Sequence, residues 1–160
     1  MKKNINNTLL LILSLLILSI FSAYFIEYGL GHKPCKLCLY QRYPYFLSVS
    51  LILSILLTKK YIKVSLLFLS IISLTGSVIA FYHFGIEQGF FNESLVCEVK
   101  NLDQNLSKED LLKQLGESTI SCKNVTFQVF GLSLATINTI FSFALFGIFL
   151  KLFRNYEINK

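Results

Sequence analysis

Four cysteines, Cys35, Cys38, Cys97 and Cys122, are the residues of this chain whose type and spacing could do chemistry. Cys35 and Cys38 form a Cys-x-x-Cys. Two sulfurs at that spacing trade electrons reversibly between dithiol and disulfide, and a thiolate there is easily stabilised. As a staple the pair is weak, because so short a ring stabilises by only about 2 kcal/mol before strain. A bridge from Cys97 to Cys122 would close a far longer ring and contribute roughly 3–4 kcal/mol, so these two could brace a loop and still react. The even count suggests two pairs, although four cysteines allow three connectivities. Zinc is a competing use, since four thiolates can bind it tetrahedrally, but such a site takes two close pairs and Cys97 stands far from Cys122. No metal is therefore expected. A thioredoxin-type fold is excluded, because no βαβ pattern surrounds the Cys-x-x-Cys.

The neighbours of the motif add to its chemistry. Pro34 suits a turn or the start of a helix before Cys35. Arg42 follows Cys38 by one helical turn and would share a face with it. A helix N-terminus and a guanidinium both favour a thiolate at Cys38. Arg42 could instead snorkel to a membrane interface. His83 and Gln41 are further candidates to line a pocket with Arg42, and Glu27 a weaker one.

The elements that must carry these residues are apolar. Only 15% of the chain is charged, against about 25% in an average soluble domain. The runs Leu9 to Ile26, Tyr43 to Thr58, Val64 to Ile86 and Val125 to Leu150 hold no charge at all. A helix needs roughly 20 residues to cross a hydrocarbon core of about 30 Å. The chain is thus expected to be an all-α membrane protein, one domain over 1–160, with four transmembrane helices at about 8–28, 39–58, 64–85 and 127–150. The second span reaches full length only by starting near Leu39 and tolerating Arg42. Lys2, Lys3 and the run from Leu9 to Phe21 resemble a signal peptide, but the run is long for that role and no A-x-A site follows, so it is expected to stay as a span.

The charge of +6 is topological. Lys2, Lys3, Lys59, Lys60, Lys63, Lys151, Arg154 and Lys160 fall on one side, with Glu157 alone against them, while the other side is nearly balanced. The positive-inside rule puts both termini and the 59–63 turn in the cytoplasm, and a nucleic-acid role is not supported. All four cysteines then lie outside, in loops 29–38 and 86–126. The longer loop is expected to contain a short amphipathic helix, capped by Ser107 with Asp110, striped by Leu111, Leu112 and Leu115, and ended near Gly116. It would lie on the membrane surface or pack on its own loop. Ser73 with Ser77, Gly76 with Ala80 and Gly131 with Ala135 are small residues at the spacing that lets helices approach in lipid.

The segment Pro34-Cys35-Lys36-Leu37-Cys38-Leu39-Tyr40-Gln41-Arg42, ahead of a span, resembles the signature of the DsbB family of bacterial disulfide-bond-forming proteins. The likeness extends to the two cysteines of the second outer loop and to Phe130-Gly131-Leu132-Ser133-Leu134-Ala135 opening the last span, and so covers nearly the whole chain. It implies an inner-membrane thiol:quinone oxidoreductase with periplasmic cysteine loops. A reduced periplasmic partner of DsbA type, with a thioredoxin-like fold, would attack the Cys97–Cys122 disulfide at Cys97. Cys122 would then attack Cys35, and Cys38 would face ubiquinone or menaquinone from the membrane pool, with Arg42, His83 and Gln41 beside the ring. Some members carry an acid where this chain has Gln41. The chain has no Trp, so aromatic packing on a ring must come from Phe, Tyr or His. Two other readings compete. One is a vitamin K epoxide reductase-like enzyme, disfavoured because its Cys-x-x-Cys lies late in the chain. The other is a non-catalytic tetraspan scaffold with structural disulfides.

Overall fold

The fold is taken from a computed structural model, which describes residues 2–92, 97, 121–123, 127–129 and 131–158. The expected helix over 107–116 lies outside the described residues. The chain begins with helix α1, Lys2–Tyr24, which widens into a π-helical turn over Phe25–Gly29. A short helix α2, Lys36–Tyr40, precedes α3, Arg42–Thr58, and α4 runs Ile62–Glu87. A small antiparallel hairpin, β1 at Gln128–Val129 and β2 at Leu132–Ser133, leads into α5, Leu134–Ile158.

Three of these helices contain segments long and apolar enough to cross a membrane: Ile5–Gly29, Ile62–Glu87 and Leu134–Tyr156. The expected second span, 39–58, departs from this. It is broken at Gln41, leaving α3 with 17 residues, roughly 26 Å of helix and short of the hydrocarbon core by itself. Pro44 is the physical reason for the break. It has no N–H for the carbonyl of Tyr40, and its ring crowds that carbonyl, so the chain cannot run as one α-helix from α2 into α3. The last span also starts later than the expected residue 127. Gly131, at φ 79°, turns the hairpin instead, and the Ser133 hydroxyl accepts the N–H of Thr136 at 3.2 Å to cap α5.

The helices pack through small residues. On α4, Ser70, Ser73, Gly76, Ser77, Ala80 and His83 are buried at helical spacing, and α5 makes the most extensive contact with this helix. A Cβ at Gly76 would stand 3.3 Å from Cβ of Pro44, so the glycine sets how closely α3 approaches. Gly131 lies outside any helix and is exposed, so its pairing with Ala135 is not a helix contact. One apolar cluster joins α1, α3, α4 and α5 through Leu9, Ile12, Leu16, Ile52, Ile55, Leu66, Leu69, Leu145 and Phe149. Outward, Leu11, Phe21, Leu47, Leu57, Phe68, Val78 and Ile140 are exposed. Apolar surface on every long helix suits lipid and not water.

Candidate functional site: four cysteines beside an apolar cavity

At the end of the bundle away from the 59–61 turn, Cys35, Cys97 and Cys122 are buried in one cluster with Leu37 and Ile86, and Cys38, Ile79 and Tyr82 pack against it. Cys97 and Cys122 form a disulfide, with Cα atoms 5.4 Å apart. Cys35 and Cys38 are free thiols whose sulfurs are 2.8 Å apart. Residues distant in sequence therefore meet, and the Sγ atoms of Cys35 and Cys122 lie within 4.8 Å of each other and of a His83 ring nitrogen.

Local backbone geometry separates the two sulfurs of the Cys-x-x-Cys. Cys35 is the N-cap of α2, extended at φ −71° and ψ 166°, and its sulfur accepts the backbone N–H of Cys38 at 3.3 Å. Nε2 of His83 lies 3.4 Å from the same sulfur. The Cys38 thiol, then the His83 ring, hold the Cys35 thiol down at about 5 against the opposing effect of burial. The Cys38 thiol is pushed well up, first by its hydrogen bond to Cys35 and then by desolvation. The thiolate of the reduced pair therefore sits on Cys35, where the sequence pattern put it on Cys38. Arg42, expected to favour that Cys38 thiolate, is engaged elsewhere. Its guanidinium pairs with Glu27 at 2.6 Å and lies 4.8 Å from the Tyr24 ring centroid. Glu27 belongs to the π-helical turn, a distortion often found at functional sites. In the reduced protein, the ultraviolet absorbance of the Cys35 thiolate should persist from neutral pH downward and disappear with a midpoint near 5. Its absence in Cys35→Ser assigns the signal, and a midpoint in the ordinary thiol range would contradict this charge placement.

Beside Cys38 lies a cavity of about 470 Å³ between α1, α3 and α5. Its walls are largely apolar, with Leu18, Ile26, Leu134 and Phe141 among them; Cys38, Gln41, Arg42, Tyr45, Asn138 and Glu27 are among its polar residues, and His32, Lys33, Ser19 and Ser22 line it too. Cys35 and His83 do not line it. His83 is thus placed on the Cys35–Cys122 side and not, as expected, against a ring in the cavity. Gln41 reaches both sides: its side chain lines the cavity, and its Nε2 is 3.1 Å from Nδ1 of His83.

Glu87 escaped the sequence reading. Its carboxylate is buried one turn beyond His83, with Oε1 3.7 Å from Nε2, and accepts the Ser133 hydroxyl at Oε2. The i,i+4 spacing of His83 and Glu87 was the available signal. Asn138, Tyr45 and Ser142 also went unnoticed. They are polar residues in charge-free runs, and Asn138 and Ser142 share a face of α5.

The model of the family described as disulfide bond formation protein DsbB matches residues 5–152. The chain belongs to the DsbB family. Among its relatives, an uncharacterized protein of Rickettsia prowazekii is 28% identical over 154 residues, covering 94% of this chain and 89% of that protein. The SPbeta prophage-derived disulfide bond formation protein B of Bacillus subtilis is 34% identical over 121 residues, covering 75% of this chain and 68% of that one. DsbB membership supports a membrane oxidoreductase of disulfide bond formation, and it bears out the resemblance seen in Cys35 to Arg42. The DsbB family is in general linked to quinones and to DsbA-like partners.

Proposed function

We propose that this chain is a thiol:quinone oxidoreductase of one bacterial inner-membrane domain, which reoxidises a periplasmic DsbA-like dithiol. The observation that carries the reading is the division of labour between Cys35 and Cys38. Cys35 faces the Cys97–Cys122 disulfide, and Cys38 faces an apolar cavity.

The relay balances as thiol–disulfide exchange. A partner thiolate attacks Cys97, the Cys97–Cys122 bond breaks, and Cys122 leaves as a thiolate. Cys122 attacks Cys35 of an oxidised Cys35–Cys38 pair, and Cys38 leaves with the electron pair. The partner's second thiolate then releases Cys97, which attacks Cys122 and expels Cys35. The partner has lost two electrons, and Cys35 and Cys38 have gained them. A loop disulfide beside a free Cys35/Cys38 pair, as in this structure, is the state so reached. The cavity suits a quinone ring and its apolar tail, since its walls are apolar and Cys38, Gln41 and Arg42 bring polar atoms together. A bound ubiquinone or menaquinone would supply the acceptor for two electrons and two protons. Arg42 and Gln41 would hold it by its oxygens, and Cys38 would present the sulfur.

Four crossings support this reading better than three. Counted from Leu39, the end of α2 and the whole of α3 together make about 20 residues, enough to span with Cys38 left outside. Lys63 lies 5.8 Å from the Phe153 ring centroid, which brings the basic 59–63 turn to the same end as the last turns of α5. The cysteines occupy the opposite end, consistent with cytoplasmic termini and periplasmic cysteines.

The test is reconstitution in lipid with a reduced thioredoxin-fold dithiol protein and either quinone. Quinol should form in step with partner disulfide. In Cys122→Ser, supplied with the same partner in its oxidised form, the Cys97 thiolate should attack the partner's disulfide, release one partner thiolate and, with no resolving cysteine beside it, stay attached. If no quinol forms and no adduct maps to Cys97, the reading is wrong.

A further inference from the structure

The hydrogen bonds at His83 continue away from the cysteines. Nε2 of Gln41 meets Nδ1 of His83 at 3.1 Å. Oε1 of Gln41 accepts Nδ2 of Asn138 at 2.7 Å. Oδ1 of Asn138 in turn accepts the hydroxyl of Tyr45, whose oxygen is 3.3 Å from the Ser142 hydroxyl. The chain therefore links α5 and α3 to α4, through the turn at Gln41, and ends on the Cys35 sulfur.

Such a chain has a direction. An amide oxygen only accepts and an amide nitrogen only donates. With the Tyr45 hydroxyl on Oδ1, Asn138 must present its NH₂ to Gln41. Gln41 must then present its own NH₂ to His83, so Nδ1 accepts and the ring proton lies on Nε2. Reversing both amides would leave a bare Nε2 lone pair facing both the Cys35 sulfur and the Glu87 carboxylate, which lies 3.7 Å away. Two electron-rich groups favour the N–H there, so both ends of the chain agree on one orientation.

We propose that Asn138, held by Tyr45 and acting through Gln41, is a positioning residue that keeps the His83 Nε2–H on the Cys35 sulfur. The inference rests on the reading of Cys35/Cys38 as the redox pair. Its consequence falls on one bond. When Cys97 reclaims Cys122, the Cys35–Cys122 bond breaks and its electron pair leaves on Cys35. A hydrogen bond already aimed at that sulfur makes it the better leaving group.

The experiment is a pH titration of the Cys35 thiolate absorbance in the reduced full-length protein in lipid, without quinone or partner. Its failure is thereby separate from failure of the relay. Among the described residues, the titratable groups facing Cys35 are Cys38 from α2 and His83 and Glu87 from α4, while Cys122 is held in the loop disulfide, which the titration leaves intact, and does not titrate. None of them is altered in the variants. Asn138→Leu should raise the midpoint by about one pH unit, Gln41→Leu by at least as much, and Tyr45→Phe by roughly half a unit. A packing role for these side chains would leave the midpoint in place. Tyr45→Phe removes a single oxygen and carries the decision if the larger changes fail to fold. A folded Tyr45→Phe protein with an unmoved midpoint overturns the proposal.

Discussion

Cys38→Ser should lower quinone reduction on the order of a thousand-fold or more, because a relay acts as a unit and fails with any one of its members. The more informative result concerns the sulfurs that remain. In Cys38→Ser, Cys35 still lies within 4.8 Å of Cys122. It loses the Cys38 thiol that favours its thiolate most, but keeps the His83 ring at 3.4 Å and the backbone N–H of residue 38 at 3.3 Å, with a disulfide in reach. It should attack Cys122, break the Cys97–Cys122 bond and release Cys97, so that part of the protein carries a Cys35–Cys122 bridge and a free Cys97. Cys35→Ser should behave differently, although it also stops quinone reduction. Cys38 remains, but it stands on the cavity side, where burial still pushes its thiol up, and so it is a poor nucleophile toward the loop disulfide. The loop disulfide should stay as Cys97–Cys122. Peptide mapping under acid-quenched, non-reducing conditions reads both outcomes. A Cys38–Cys122 bridge forming in Cys35→Ser as readily as Cys35–Cys122 forms in Cys38→Ser would remove the distinction on which the direction of electron flow depends.

That asymmetry was only half legible in the sequence. The charge-free runs marked α1, α4 and α5, because a helix in lipid leaves its trace in composition alone. The Cys-x-x-Cys and its turn to Arg42 marked one end of the site. What composition could not reveal were features set by tertiary contact. Pro44 reads as an ordinary residue near the start of a long span, yet it divides α2 from α3 and leaves Gln41 at the junction, where it reaches both the cavity and His83. The hairpin before α5 is equally local: Gly131 provides the left-handed residue and Ser133 the cap, within what reads as one apolar run. The helix N-terminus and the spacing to Arg42 point to a thiolate at Cys38. In the structure Glu27, directly after the charge-free run of the first helix, takes the guanidinium, while the hydrogen bond to Cys35 is the largest effect that pushes the Cys38 thiol up. Spacing along one helix predicts which side chains can meet, but not which partner from another helix arrives first.

The Glu27–Arg42 pair yields the second large effect, which separates two roles of the same guanidinium. Arg42 lines the cavity beside Cys38, and both partners are mostly buried, with side chains 14% and 19% exposed. Arg42→Ala should raise the apparent KM for quinone about 10- to 100-fold, as expected for loss of a charge-assisted contact. Exchange between the partner and Cys97 should be unchanged, since Cys97 and Cys122 lie on the other side of Cys35. Removal of Arg42 also strands the Glu27 carboxylate in an apolar wall, which destabilises the fold whether or not Arg42 touches a quinone. Glu27→Gln with Arg42→Gln resolves the two effects. It leaves neither charge unpaired and keeps amide groups where the ion pair stood, so stability should largely return. If Arg42 contacts the acceptor, the KM defect should remain in that double variant. If the KM recovers together with the melting temperature, the guanidinium serves only to hold α3 to the π-helical turn of the first helix, and the oxygens of a bound quinone must be held by Gln41 and its neighbours instead.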